Sequence, residues 1–95
     1  MTFEWDNGKA AWNERDHGVA FDEAATVFDD PYFVVLTDDD HSFGELRYWI
    51  IGESDRGRVL LVVYTERGDA VRIISTRQAT PREEKFYEEE KYGSI

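Results

Sequence analysis

The sequence predicts an α+β fold: an antiparallel sheet of four to five strands, with two N-terminal helices ahead of it and one C-terminal helix behind it. Three observations predict this. Between Tyr32 and Arg77, runs rich in β-branched and aromatic residues recur at even spacing between Gly-bearing turns. Residues 6–28 carry helix caps and apolar positions at helical spacing. Thr80-Pro81-Arg82-Glu83 places Thr at the N-cap, Pro at the first helical position and Glu at the third, a capping box.

Phe3-Glu4-Trp5 alternates apolar and polar residues and reads as a short strand. Asp6 then caps a helix expected to run to about Asp16, with Gly18 just past its end. Asp22 is the expected cap of a second helix, in which Phe21, Ala24, Ala25 and Phe28 follow an apolar i, i+3, i+4, i+7 spacing. Asp29-Asp30-Pro31 stops it, because the residue before a proline is pushed out of the α region. Tyr32 to Thr37 is a strand by composition, and Asp38 to Gly44 a polar loop. Three strands follow, Glu45 to Glu53, Arg58 to Thr65 and Ala70 to Arg77. Short turns at residues 54–57 and 66–69 join them into an antiparallel meander. The helix that opens at Thr80 should reach about Tyr92, with Phe86 and Tyr87 as its sheet-facing candidates. With helices on one sheet face, the other is available as a work surface.

Ninety-five residues and a 41% apolar fraction suit a single domain spanning 1–95. Cysteine is absent, which excludes disulfides and thiolate metal sites. No apolar run approaches the roughly 20 residues of a membrane span, and the N-terminus lacks a signal-peptide pattern, so a cytoplasmic protein is expected. The net charge of −10 argues at first against a polyanionic partner. Its distribution is uneven. Residues 1–45 hold 2 basic and 12 acidic groups, whereas residues 46–82 hold 7 basic and 4 acidic, and all seven of those cations are Arg. Arg is the residue suited to bidentate phosphate contacts; the bland alternative is solvated arginines on an ordinary sheet.

Several fragments together resemble one family. They are Phe3-Glu4-Trp5-Asp6 with Lys9 and Asn13, then His17-Gly18-Val19 with Phe21, then Val27-Phe28-Asp29-Asp30-Pro31. Farther on come His41-Ser42 with Glu45 and Arg47, Ile51-Gly52, Gly57-Arg58, Thr65-Glu66-Arg67, and Arg72-Ile73-Ile74-Ser75 with Arg77. In this order and spacing they resemble the BrnT toxins, from Phe3 to about Tyr87. Asp16 and Thr76 depart from the pattern, standing where a basic residue and an Ala are usual. The resemblance implies a RelE-like endoribonuclease toxin of a type II toxin–antitoxin pair, which inhibits translation and growth. It also implies a BrnA-like antitoxin whose ribbon-helix-helix segment binds operator DNA, so that DNA is met only through the antitoxin.

Cleaving RNA without a metal needs a base for the ribose 2′-hydroxyl, cations for the developing phosphorane charge, and an acid for the leaving oxygen. Similarity to RelE-like toxins implies that Arg side chains in and beside the sheet carry this work, with no cofactor. Arg47 and Arg72 each precede an apolar strand segment and can project onto the open face; pairing with Glu45 or Glu66 is the structural alternative. Arg77, beside the Thr80 cap, can form a phosphate cradle at a helix N-terminus or an ion pair with Glu83 or Glu84. His41, near Asp40 and Glu45, is the acid–base candidate together with Glu45. His17 is read first as a cap of the first helix, and Tyr87 first as a core aromatic. Asp38-Asp39-Asp40-His41 with Glu45 also permits a metal reading, a small metal-dependent nuclease, although the spacing matches no defined loop. An inactive homologue that serves as an antitoxin-binding corepressor is the remaining alternative.

Overall fold

A computed structural model describes residues 1–41 and 44–93, the side chain of His41 excepted. Asp6 opens α1 (Asn7–His17) by accepting the Lys9 N–H at 2.9 Å. Gly18, at φ 68°, closes it with its N–H on the Glu14 carbonyl, a left-handed position that favours glycine. The second helix departs from expectation. α2 (Phe21–Thr26) is preceded by Ala20 without a side-chain cap, so Asp22 lies inside the first turn. Burial decides this start: Phe21 must point inward, where its ring meets Trp5 edge-on, and the helix begins with it. A 3-10 turn at Val27–Asp29 ends the segment before Pro31.

The strands are β1 (Thr2–Glu4), β2 (Val34–Thr37), β3 (Arg47–Glu53), β4 (Val59–Arg67) and β5 (Ala70–Gln78), followed by α3 (Pro81–Tyr92). They form one sheet in the order β1-β5-β4-β3-β2. β3 to β5 are the expected antiparallel meander, and β2 extends it antiparallel to β3. β1 is the correction, since it joins β5 in parallel, Phe3 opposite Val71, and the sheet is mixed. The meander leaves the outer edge of β5 open, and β1 runs along it in the direction that lets α1 return across the same strand.

On one face, α1 and α2 cover Ile50, Leu60, Val62, Tyr64, Val71 and Ile73, with Val19, Phe21, Ala24 and Val27 packed from the helix side. On the other face, among the described residues, one end is covered. There α3 lays Tyr87 over Ile51 and Leu61. Tyr87 rather than Phe86 is the deeply buried residue of that helix, and its hydroxyl donates to Asp30. Asp30 reaches it because Gly52 leaves room: a Cβ there would lie 2.9 Å from Val27 and 3.1 Å from the Asp30 carboxylate. Among the described residues, no helix is long and apolar enough to cross a membrane.

A cationic groove on the open sheet face

Arg72 and Arg77 are five positions apart, so strict strand alternation would send them to opposite faces. A bulge prevents this. Val63 opposes Ser75 while Tyr64 opposes Ile73, which leaves Ile74 as an extra residue in β5. Beyond it Thr76 turns to the helix-covered face, opposite Val62, and Arg77 to the open face, opposite Leu61. The pairing also sets Arg47 opposite Thr65 and Thr65 opposite Arg72, one row across three strands. The two arginines are thus about 10 Å apart along the row, two interstrand spacings.

Past the short β1, the free edge of β5 is closed by a side chain. The Asn13 amide donates to the Thr76 carbonyl at 2.8 Å and accepts the Thr76 N–H at 3.0 Å, as a neighbouring strand would. It also donates to the Val19 carbonyl at 3.0 Å, so all of these polar groups are satisfied in a buried place. This attachment brings the end of α1 to the rim of the open face.

The result is a groove of about 360 Å³. Trp49, Leu61 and Val63 form its floor, Arg47 and Arg77 border it, and His17, Asp38 and Ile74 complete the rim. Asp38 enters by continuation of the β2–β3 register, its N–H donating to the Arg47 carbonyl at 2.8 Å. The Trp49 indole N–H is buried and has no acceptor among the described residues.

Of the expected site residues, Arg47 and Arg77 both border this groove. Arg72, in the same row as Arg47 but two strands away, is not part of the groove lining and stands 3.7 Å from Glu4, a partner that sequence reasoning did not name. Arg77 takes the ion-pair alternative: Glu83 accepts both of its terminal nitrogens, at 2.7 and 3.0 Å. The carboxylate therefore stands at the helix N-terminus where a phosphate cradle was expected, and it also accepts the Thr80 N–H in the capping box. The hydrogen bond from Arg77 holds the Glu83 carboxyl below its ordinary pKa, and Glu83 in turn raises that of Arg77. Glu45 is not part of the groove lining and pairs with Arg67 at 3.7 Å. His41 ends a 3-10 turn at Asp39–His41; its side chain, and Ser42 with it, lies outside the described residues. Among the described residues no three carboxylates or imidazoles gather as metal ligands.

His17 and Asp38 were missed as groove residues. The backbone of Gly18 supplies the cap of α1, and Arg58 takes the Gly18 carbonyl at 3.0 Å, so capping does not occupy the imidazole as expected. The register of β2 against β3, which sets Thr37 opposite Tyr48, was the signal available for Asp38.

The class that fold and site define is a small α+β protein with an arginine-bordered groove on its open sheet face. A family model described as the ribonuclease toxin BrnT of type II toxin–antitoxin systems matches residues 5–83. The chain belongs to that family. The crystal structure of the Brucella abortus ribonuclease toxin BrnT has the same fold, with a TM-score of 0.65 at 24% identity, over 84% of this chain and 97% of that one. No curated protein matches the sequence.

Proposed function

We propose that this chain, as one domain spanning 1–95, is an endoribonuclease that cuts RNA at the open sheet face without a metal ion. The observation that carries the reading is that Arg47 and Arg77 border one groove with an apolar floor, with Arg72 two strands from Arg47 in the same row. An RNA strand lies along this groove with its phosphates on the arginines. The ribose 2′-oxygen attacks phosphorus and the 5′-oxygen leaves, giving a 2′,3′-cyclic phosphate and a 5′-hydroxyl. Arg47 and Arg77 stabilise the added negative charge, a contribution typically worth about 10²–10³ in rate per donor. His17 and Asp38 are the groove's own candidates for moving the two protons. His41 and Glu45 remain candidates from the adjoining segment.

In a RelE-like toxin of the cytoplasm, this activity inhibits translation and growth. A BrnA-like ribbon-helix-helix antitoxin neutralises it and links it to operator DNA. The acidic first half, with 2 basic and 12 acidic residues over 1–45, suits a basic antitoxin segment and speeds its association. The test is expression alone and together with the adjacent gene product, then cleavage of RNA by purified protein in EDTA. Growth arrest relieved by the partner, with cleavage that survives EDTA, supports the reading. Loss of cleavage in EDTA defeats metal independence.

One observation favours a second reading. Glu83 and Glu4 already sit on Arg77 and Arg72. A toxin homologue with its arginines so neutralised serves as an inert antitoxin-binding corepressor, and binds its partner without arresting growth.

A further inference from the structure

α1 holds one large side chain that folding does not explain. Trp12 is 58% exposed, while the helix meets the core through Ala10 and Asn13. The Arg15 guanidinium stands 4.8 Å from the centre of its ring. Beside it is a recess of about 470 Å³, bounded by Lys9, Trp12, Asp6, Asp16, His17 and Ile74. His17 and Ile74 also border the arginine groove, so the two depressions adjoin.

We propose that Trp12 is a stacking platform for an unpaired RNA base next to the phosphodiester held by Arg47 and Arg77. This rests on the ribonuclease reading above and adds to it a subsite with a stated chemistry. A nucleobase lays its flat face on an indole with little regard to sequence, and Arg15, over one face of the ring, adds a cation–π contact and leaves the other face as the platform. The recess suits the base better than its phosphate, because Asp6 and Asp16 outweigh the single Lys9 cation there. Asp6 is already committed to capping the helix. Asp16 lies one turn from Trp12 on the same helix face, where a carboxylate accepts from an amino edge. The strand therefore runs from the arginine groove, past His17 and Ile74, to a base on Trp12, and bases with an exocyclic amino group are preferred there.

The probe is a fluorescein-labelled 2′-O-methyl oligonucleotide, which cannot be cut because the attacking hydroxyl is blocked. Its binding to the full chain is read by anisotropy, beside cleavage of the matching RNA. Trp12→Ala should weaken binding about tenfold and raise KM by a similar factor with kcat preserved. Trp12→Phe should keep most of the affinity, and Trp12→Leu, apolar but without a π face, should behave like Ala. Melts of all three variants should match that of the parent, since the indole is exposed. If the parent cuts RNA and Trp12→Ala binds and cuts equally well, the subsite is wrong while the ribonuclease reading stands. If the parent neither binds nor cuts RNA, both fall. If Trp12→Ala loses only the antitoxin, Trp12 belongs to the partner surface and the stacking role is overturned.

Discussion

On the covered face, Glu23 of α2 is 5% exposed and its carboxylate has close hydrogen-bond partners, with Arg56 farther off at 3.9 Å. Ser54 donates to it at 2.7 Å, and the Arg58 guanidinium donates to both of its oxygens, at 2.8 and 2.6 Å. On the opposite face Arg72 and Arg67 stand 3.7 Å from their carboxylates, with side chains 29% and 51% exposed. The same two residue types thus make two kinds of contact. On the covered face, the pair joins α2 to the turn between β3 and β4, and Arg58 also reaches the end of α1. On the open face the pairs of Arg72 and Arg67 are long and therefore readily exchanged. Arg77 with Glu83 lies between the two extremes, bidentate but partly exposed.

The largest expected effect falls on the covered face. Arg58→Ala leaves the Glu23 carboxylate buried without its main partner, and breaking such a pair costs about 3 kcal/mol. Urea unfolding would measure this, and a midpoint equal to that of the parent would dissolve the contrast between the faces. Next in size is the mirror-image result. Arg47→Ala and Arg77→Ala should lose RNA cleavage by about a hundredfold each. Their stability should change by about 1 kcal/mol or less. If both variants fold normally and still cut RNA, the groove is not the catalytic surface. Arg72→Ala, at a residue outside the groove lining, should lose less than either.

A smaller effect is expected where α3 is latched. Asp30 accepts from the Tyr87 hydroxyl and from the Glu53 and Tyr32 N–H groups. Burial pushes the Asp30 carboxyl up, but the three donors outweigh it and hold it below its ordinary pKa. Tyr87→Phe removes one hydrogen bond to a charged group, about 1.5 kcal/mol. The pH dependence follows in sign. Asp30, Glu23 and Glu83 all have folded pKa values below their unfolded ones, the last two chiefly through Arg58 and Arg77. Their stabilisation is complete above the unfolded values, about 4. It is lost as pH falls through the folded values. Tyr87 is raised, by burial first and Asp30 second, so its share is present below about pH 10 and lost above the raised value. Melting temperature against pH should fall at both ends, and Tyr87→Phe should flatten the alkaline fall.

Local chemistry was legible in the sequence. The Thr80 capping box, the Asp6 and Gly18 ends of α1 and the two hairpins all depend on residues within a few positions of one another. What could not be read depends on distance along the chain. The parallel pairing of β1 with β5 joins residues almost seventy positions apart. The amide of Asn13 stands in for a strand at Thr76, sixty-three positions away. The Ile74 bulge hides in a run, Arg72 to Arg77, that looks like regular strand, yet it alone brings those arginines to one face. The choice of Arg47 and Arg77 as groove residues was thus available from residue type, and their meeting was not. Glu4 as partner of Arg72 required the parallel strand to be known first.

The smallest expected effect sharpens the comparison most, because it asks what the intermediate pair does. In Glu83→Gln, the side-chain oxygen can still accept the Thr80 N–H, so the capping box persists. The charge facing Arg77 is lost, at a stability cost of about 1 kcal/mol or less for a partly exposed pair. If Glu83 competes with phosphate for the guanidinium, cleavage should rise by at most about fivefold, the rate equivalent of that same interaction. Salt should then raise the parent's activity relative to that of the variant, since screening weakens the competitor it still carries. If cleavage instead falls as far as in Arg77→Ala while the fold persists, Glu83 orients the guanidinium toward substrate. In that case the Arg77–Glu83 pair belongs with the fixed contacts of the covered face.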